Sequence, residues 1–420
     1  MEYPHRPERH HLLEYHSPVE KTDVVVVGGA GHVGLPFANT VAATGLKVIS
    51  YDIDSAAVDQ INEGRVPFYE VGLQELLAAN LKSKNFIATT SVDVITSARI
   101  VVIVIGTPVD EFLSAKPHAV VNEIRKIVPY LKNGQHLMLR STIYPGLTKK
   151  ISDLLAENGL VVTLSYCPER IAEGKALEEL VSLPQIVGSI DGLIAPEVEE
   201  IFQKLGVEII KLSIEEAELA KLFSNAWRYM TFAAANSLFM IAESEGANFE
   251  KIRAALKYKY PRASDIPSAG FAAGPCLPKD TMQLQTLAGG NFLLGAASYS
   301  VNENLPNFVI SRMEKEYNLS KLSVAVLGMS FKANIDDIRS SLSFKLAKLL
   351  EFRAKSVICV DPFVKGFEES KLASTIEMVD LIVIGSPHDV FREINTVKPI
   401  IDIWDMDGSG ILIKKSGFIK

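Results

Sequence analysis

The side chain best placed to form and break a covalent bond is Cys276, in the loop Gly270-Phe271-Ala272-Ala273-Gly274-Pro275-Cys276-Leu277-Pro278-Lys279-Asp280. A cysteine attacks as its thiolate, which a neighbouring ammonium such as Lys279 favours, and small glycine and alanine neighbours keep the sulfur approachable. The alternative is a small buried hydrophobe. A second candidate is Glu169, in Cys167-Pro168-Glu169-Arg170-Ile171-Ala172-Glu173-Gly174. A carboxylate there is a candidate base if burial raises its pKa toward neutrality, and otherwise a surface charge. A third group, Glu218, Lys221 and Asn225, is spaced by three and four residues and shares one helix face, either a site or a solvated ion-pair face.

These residues need elements to hold them. Asp23 to Val27 is a β-branched run bounded by glycine, as in a strand buried on both faces of a parallel sheet. It opens into Gly28-Gly29-Ala30-Gly31-His32-Val33-Gly34, in which Gly29, Gly31 and Gly34 fit G-x-G-x-x-G. That pattern supplies a tight turn, close approach to a pyrophosphate and close helix packing, and it places His32 and Val33 beside the phosphates. A second strand, Lys47 to Tyr51, closes on Asp52, at the distance where an acid accepts hydrogen bonds from a ribose. The acid repels a 2′-phosphate, which favours NAD over NADP. Strands at 99–105 and 136–140 end in Gly106-Thr107-Pro108 and Ser141-Thr142-Ile143-Tyr144-Pro145-Gly146. Ligands lie outside the carboxyl ends of such strands, so Thr107, Ser141 and Thr142 either line one cleft or serve as caps and turns.

A long helix is expected from the cap Ser213 to the stop at Gly246, with 226–242 reading as buried, and another from about Thr281 to Glu314. The order VVVVGG, VISYD, IVVIVIGTP then recurs as VAVLGMSFK, VICVDP, LIVIGSP, followed by IIDIW. This predicts an α/β chain of two Rossmann-like, doubly wound parallel-sheet domains joined by a long central helix. The expected boundaries are a flexible tail 1–20, an NAD-binding domain 21–212, a central helical and dimerisation domain 213–318 carrying the cysteine loop, and a second Rossmann-like domain 319–420. The second repeat has Met329-Ser330-Phe331-Lys332 in place of the glycine fingerprint, so it is expected to hold the nucleotide part of a substrate.

The length of 420 residues fits two or three domains at roughly 150 residues each. A net charge of −7 without a long basic block leaves no electrostatic footprint for nucleic acid or an anionic membrane. No segment reaches the roughly 18 apolar residues of a membrane span. Three scattered cysteines argue against a disulfide framework and for a reducing compartment, the cytoplasm. His5, His10, His11 and His16 lie in the tail without a ligand-spacing pattern, so no metal is expected.

From about residue 21 to 410 the chain resembles the UDP-sugar 6-dehydrogenases, the UDP-glucose and UDP-N-acetylhexosamine dehydrogenase family. The resemblance rests on GAGHVGLP, STIYPG, CPERIAEGKA, the E-x-x-K-x-x-x-N face, AGPCLPKD and GMSFKANIDDIRSS, in the family's order. It implies four-electron oxidation of a sugar C6 alcohol to a carboxylate with two NAD reduced in turn, Cys276 adding to the intermediate aldehyde to give a thiohemiacetal and then a thioester. It implies that Lys221 and Asn225 stabilise the oxyanion, that Glu169, Thr142 and Asp280 activate water or relay protons, and that Lys332 and Arg339, with Phe331 and Gly274, hold the UDP-sugar. Arg170 is placed to discriminate the sugar, and Arg262 resembles an arginine reaching the neighbouring subunit of a homodimer built on the central helix.

Family loops commonly read G-G-S-C-F-P-K-D or G-G-H-C-I, whereas Pro275 here removes a backbone donor beside the thiol. P-E-R-I is similar to the N-acetylhexosamine branch, and P-K-D after the cysteine to the UDP-glucose branch. The N-acetylhexosamine reading is preferred, with UDP-glucose the alternative. A two-electron dehydrogenase of the 6-phosphogluconate or hydroxyacyl type would leave the cysteine loop and the second repeat unexplained. A noncatalytic nucleotide-sugar binder would have no need of Lys221, Asn225, Cys276 and Asp280 together.

Overall fold

Buried apolar strands in the first half of the chain alternate their side chains to both faces of a single sheet. In this computed structural model, which describes residues 22–107, 116–190, 192–367 and 372–415, that sheet has eight strands. They are β1 (Thr22–Val27), β2 (Val48–Tyr51), β3 (Phe86–Thr89), β4 (Ala98–Ile103), β5 (His136–Leu139), β6 (Thr163–Tyr166), β7 (Gln185–Ser189) and β8 (Ile209–Ser213). Their order is β3-β2-β1-β4-β5-β6-β7-β8, parallel throughout except where β7 runs antiparallel to β6. Val24, Val26, Ile100, Val102 and Met138 pack under the helix Gly34–Ala42 on one face. Val25, Val27, Val101, Ile103, Leu137 and Leu139 pack on the other under the helices Pro117–Ile127 and Leu147–Glu157. Strand order reverses between β1 and β4, so the turns after these two strands open a crevice.

The second repeat forms a five-stranded sheet of β9 (Ser323–Leu327), β10 (Ser356–Val360), β11 (Leu381–Ile384), β12 (Ile400–Ile401) and β13 (Ile413–Lys414). Their order is β10-β9-β11-β12-β13, and only β13 is antiparallel to its neighbour. Between the sheets runs the central helix Ile214–Ser244, opened by a capping box in which Ser213 and Glu216 satisfy each other's backbone N–H groups.

Two expectations need correction. The helix expected from about Thr281 to Glu314 is two helices, Leu277–Leu287 and Leu293–Glu316, because Gly289 and Gly290 take φ of +57° and +86° and end the first. The stretch 226–242 is not uniformly buried: Ala226, Tyr229 and Ala233 face inward, but Trp227, Leu238 and Ile241 are exposed. The histidine-bearing tail and Pro108 lie outside the described residues.

Candidate active site

The glycine turn after β1 divides its labour among four glycines. Gly28 takes a φ of +79°, which starts the turn. A Cβ on Gly29 would lie 2.1 Å from Ser50 Oγ, and one on Gly34 would lie 2.3 Å from the Gly28 carbonyl, so these two are fixed by packing. Gly31 has no neighbour nearer than 3.9 Å to its would-be Cβ and lines the cavity, leaving the backbone free for a pyrophosphate to approach. Asp52 accepts hydrogen bonds from Ala30 N (3.0 Å) and Asp54 N (3.1 Å), which aims its carboxylate at the rim of this turn. A cradle open only at Gly31, flanked by an oriented acid, fits a dinucleotide. His32 stacks on Phe68 at 4.1 Å and, with Val33 and Gly34, lines the same cavity. Gly29 and Asp52 stand outside its lining.

That cavity, of about 1060 Å³, collects the ends of β4, β5 and β6, one face of the central helix, the cysteine loop and the 331–340 loop of the second repeat. Thr107, Ser141 and Thr142 all line it. Ser141 Oγ donates to the Ile105 carbonyl (2.8 Å), and Thr107 Oγ1 accepts from Lys279 Nζ (2.9 Å), tying the first sheet to the cysteine loop.

The helix-face reading is sharpened by burial. Glu218 is fully buried and accepts from Gly146 N (2.6 Å), Thr148 N (2.9 Å) and Thr148 Oγ1 (2.6 Å). It therefore caps the helix Leu147–Glu157 and bolts the central helix to the loop that carries Thr142. One turn further on, Lys221 points into the cavity. Its ammonium makes no hydrogen bond or ion pair among the described residues, and burial lowers its pKa, opposed by the charges of Asp280, Cys276 and Glu169. Asn225 also lines the cavity, and its Nδ2 donates to Asp280 Oδ2 (2.6 Å).

Cys276 occupies the cap position of the helix Leu277–Leu287, its thiol open to the cavity but crowded by protein on its other sides. The expected depression of its pKa is not what the surroundings produce. Crowding and the Asp280 carboxylate raise it, and the ammonium groups of Lys279 and Lys221 offset this only in part. Gly274 takes a φ of +95°, and a Cβ there would lie 2.7 Å from the Phe331 ring, so the cysteine loop and the second repeat meet at this glycine. Pro275 lines the cavity beside the thiol.

Glu169 is also corrected. Burial alone would raise its pKa, but the buried Arg140 guanidinium and the N–H groups of Arg170 and Ile171 outweigh it and hold the carboxyl below its ordinary value. Arg170 reaches the cavity wall, but its guanidinium donates to the Pro184 carbonyl. Lys332 Nζ donates to the Glu173 carbonyl oxygen (2.8 Å), and Arg339 bonds both Asp337 and Glu173 (3.2 Å), so the two repeats close on each other over the cavity. The Glu173 carboxyl is pushed up to about 7 by burial and by the Asp337 carboxylate. Arg262 stands away from this cavity, exposed and stacked on Tyr260.

Sequence reasoning passed over Gly28, Arg140 and Arg228. The Gly28-Gly29 doublet marked the first, a charge ending the apolar run before Ser141 marked the second, and helical spacing from Asn225 marked the third, which lines the cavity from the central helix.

Fold and cavity together define an NAD-dependent dehydrogenase whose second α/β unit closes over a substrate site. The chain belongs to the UDP-glucose/GDP-mannose dehydrogenase family, whose NAD binding domain matches residues 23–206, central domain residues 215–304 and UDP binding domain residues 325–406. A UDP-N-acetyl-D-mannosamine dehydrogenase of Methanococcus maripaludis is 30% identical over 394 residues, covering 91% of this chain and 90% of that relative. An NDP-N-acetyl-D-galactosaminuronic acid dehydrogenase of Ralstonia nicotianae is 28% identical, covering 89% and 92%. Among solved structures, a UDP-D-ManNAc dehydrogenase from Pyrococcus horikoshii superposes with a TM-score of 0.81 at 27% identity, covering 89% of this chain and 91% of that one. No helix among the described residues is long and apolar enough to cross a membrane.

Proposed function

We propose that the protein oxidises the C6 hydroxyl of a UDP-N-acetylhexosamine to a carboxylate, with Cys276 as the covalent nucleophile of the second oxidation. The observation that carries this reading is convergence: Cys276, Lys221, Asn225, Glu169 and Thr142 line one cavity between the dinucleotide turn and the Phe331–Lys332 loop, and Asp280 stands directly behind Asn225. NAD bound at Gly31, His32 and Val33 supplies the hydride acceptor for each oxidation.

The chain's own groups do the rest. At the aldehyde level the Cys276 thiol loses its proton to water in the cavity, its sulfur adds to C6 as the carbonyl π bond opens, and the carbonyl oxygen gains the negative charge. Lys221 and Asn225 stabilise that oxyanion, as a cation and an amide donor held in place before the charge develops. Oxidation of the thiohemiacetal leaves a thioester, and water attacks its carbonyl, releasing the carboxylate and returning the thiol. Glu169 and Thr142 orient that water, while Asp280 holds Asn225 and faces Lys279 at 3.6 Å. The activities that name those relatives favour an N-acetylhexosamine, and Lys332, Arg339 and Phe331 are assigned to the nucleotide. A panel of UDP-glucose, UDP-N-acetylglucosamine, UDP-N-acetylmannosamine and UDP-N-acetylgalactosamine with NADH readout tests the sugar. Cys276→Ser tests the nucleophile: undiminished acid formation by that variant would refute the covalent step.

Phe223, Trp227, Leu238 and Ile241 form an exposed apolar stripe, 46% to 62% accessible, along the central helix. A single chain gains nothing from so long an uncovered seam, so a homodimer through this helix, with Arg262 reaching the partner's cavity, is the assembly we assign. Three free thiols fit a cytoplasmic enzyme.

A further inference from the structure

Arg140 follows β5, is fully buried, and has no place in the proposed chemistry so far. Its Nη2 donates to Glu169 Oε2 and to Gln185 Oε1 (3.3 Å), and its carbonyl accepts from Glu169 N (3.3 Å). The guanidinium lies over the Phe37 ring at 4.5 Å and the Phe202 ring at 5.6 Å. Its Nε and Nη1 are buried without a hydrogen-bond partner among the described residues. A buried ion pair is weak evidence for stability, and unpartnered N–H groups make this one costlier still. Such a group persists for what it does to its partner.

The Glu169 carboxylate is fixed at both oxygens, Oε2 by Arg140 and Oε1 by Arg170 N (2.7 Å) and Ile171 N (3.1 Å), yet it still lines the cavity. We propose that Arg140 is a positioning residue that locks Glu169 as an aligned, ionised carboxylate, so that Glu169 orients the hydrolytic water of the thioester step and does not act as a proton donor. This rests on the covalent reading of Cys276. The charged and titratable groups facing Glu169 are Arg140 from the end of β5, Lys221 from the central helix, and Cys167 and Arg170 on its own loop. Arg170 turns its guanidinium to Pro184, which leaves Arg140 as the cation in direct contact.

The test uses the full-length enzyme with NAD and its UDP-sugar, following NADH formation by stopped flow, the quenched thioester by intact mass, and kcat across the acid range. With Arg140→Gln, burial acts on Glu169 opposed mainly by the N–H groups of Arg170 and Ile171, and the balance moves toward the neutral carboxyl. The acid limb of kcat then moves to higher pH, hydrolysis slows tenfold or more, and thioester accumulates. Arg140→Lys, which keeps the charge, returns the limb toward wild type. The double variant with Glu169→Gln is no slower than Glu169→Gln alone, because Arg140 acts through Glu169. An unmoved acid limb in Arg140→Gln overturns the inference, even with a lower melting temperature, since a purely structural role lowers stability alone. Equally fatal is a double variant slowed by the product of the single effects. Undiminished hydrolysis in Glu169→Gln strikes the water-orienting role of Glu169 itself, and absence of any thioester strikes the covalent reading beneath it.

Discussion

The cysteine loop is clamped at Gly270, and the clamp sets a measurable cost. Asn236, fully buried on the central helix, donates from Nδ2 to the Gly270 carbonyl (3.0 Å) and accepts at Oδ1 from the Gly270 N–H (3.0 Å). The same Nδ2 donates to Asn302 Oδ1 (2.9 Å), whose own Nδ2 donates to the Tyr229 carbonyl (3.1 Å). From the other side the Trp404 ring leaves only 2.4 Å to a would-be Gly270 Cβ. Asn236→Leu keeps the branching at Cγ and strands three buried polar groups: the Gly270 N–H, the Gly270 carbonyl and Asn302 Oδ1. Each stranded group costs about 1–3 kcal/mol, and a loop that opens to water caps the sum, so about 3–5 kcal/mol of local stability is lost. At tenfold per 1.4 kcal/mol, the opening equilibrium rises by about two orders of magnitude or more. Amide hydrogen exchange on peptides spanning 268–276 reads this directly, and the loosened Cys276 lowers kcat. Asn236→Asp is expected to fare no better, because a carboxylate there faces two oxygen acceptors. Exchange within about threefold of wild type, with kcat unchanged, would refute the clamp.

Gly274→Ala forces a side chain into positive φ, at about 1–2 kcal/mol, and against the Phe331 ring, so KM for the UDP-sugar should rise with little change in KM for NAD, as steady-state kinetics would record. Asp280→Asn removes a charge that raises the Cys276 pKa, so more thiolate is present at neutral pH and iodoacetamide labels the thiol faster; slower labelling would contradict the assigned cause. Labelling of the wild type should climb with pH past the ordinary thiol range, since the raised pKa delays ionisation. Trp227→Glu places a charge in the exposed apolar stripe and should shift the protein to monomers in sedimentation velocity, leaving its melting temperature nearly unchanged at low concentration.

The parts legible in the sequence were those whose physics is local. Gly29, Gly31 and Gly34 announce a turn because each answers a demand made within a few residues, and the Ser213–Glu216 box marks a helix start for the same reason. Helical spacing placed Glu218, Lys221 and Asn225 on one face correctly. What Glu218 does was not legible, because its partners Gly146 and Thr148 lie about 70 residues away. The sign of each pKa shift was hidden for a similar reason. Glu169 looked like a carboxyl raised by burial until Arg140, 29 positions earlier, was brought against it. Cys276 looked like a thiol acidified by Lys279 until the fold put Asp280 and crowding on the other side of the balance. The Gly289-Gly290 break lay within reach of sequence reasoning, since a glycine doublet is a common helix stop.

The two repeats also explain why only one of them holds a dinucleotide. Both end their second strand in an aspartate that accepts from the backbone of the turn after the first, Asp52 from Ala30 N and Asp361 from Met329 N (2.6 Å). Asp52 has two backbone partners and stays partly open, with lone pairs left for a ribose. Asp361 is fully buried and has four backbone partners and one side-chain partner: Met329 N, Ser330 N and the His388 ring Nε2 at one oxygen, Phe363 N and Val364 N at the other. A carboxylate offers about four acceptor sites, so this one is saturated. Asn334 N donates to His388 Nδ1 (2.8 Å), which leaves the ring proton on Nε2 for Asp361. The acid that would read a ribose in the first repeat is spent in the second on fixing residues 329–334, and that fixed loop is what delivers Phe331 and Lys332 to the cavity.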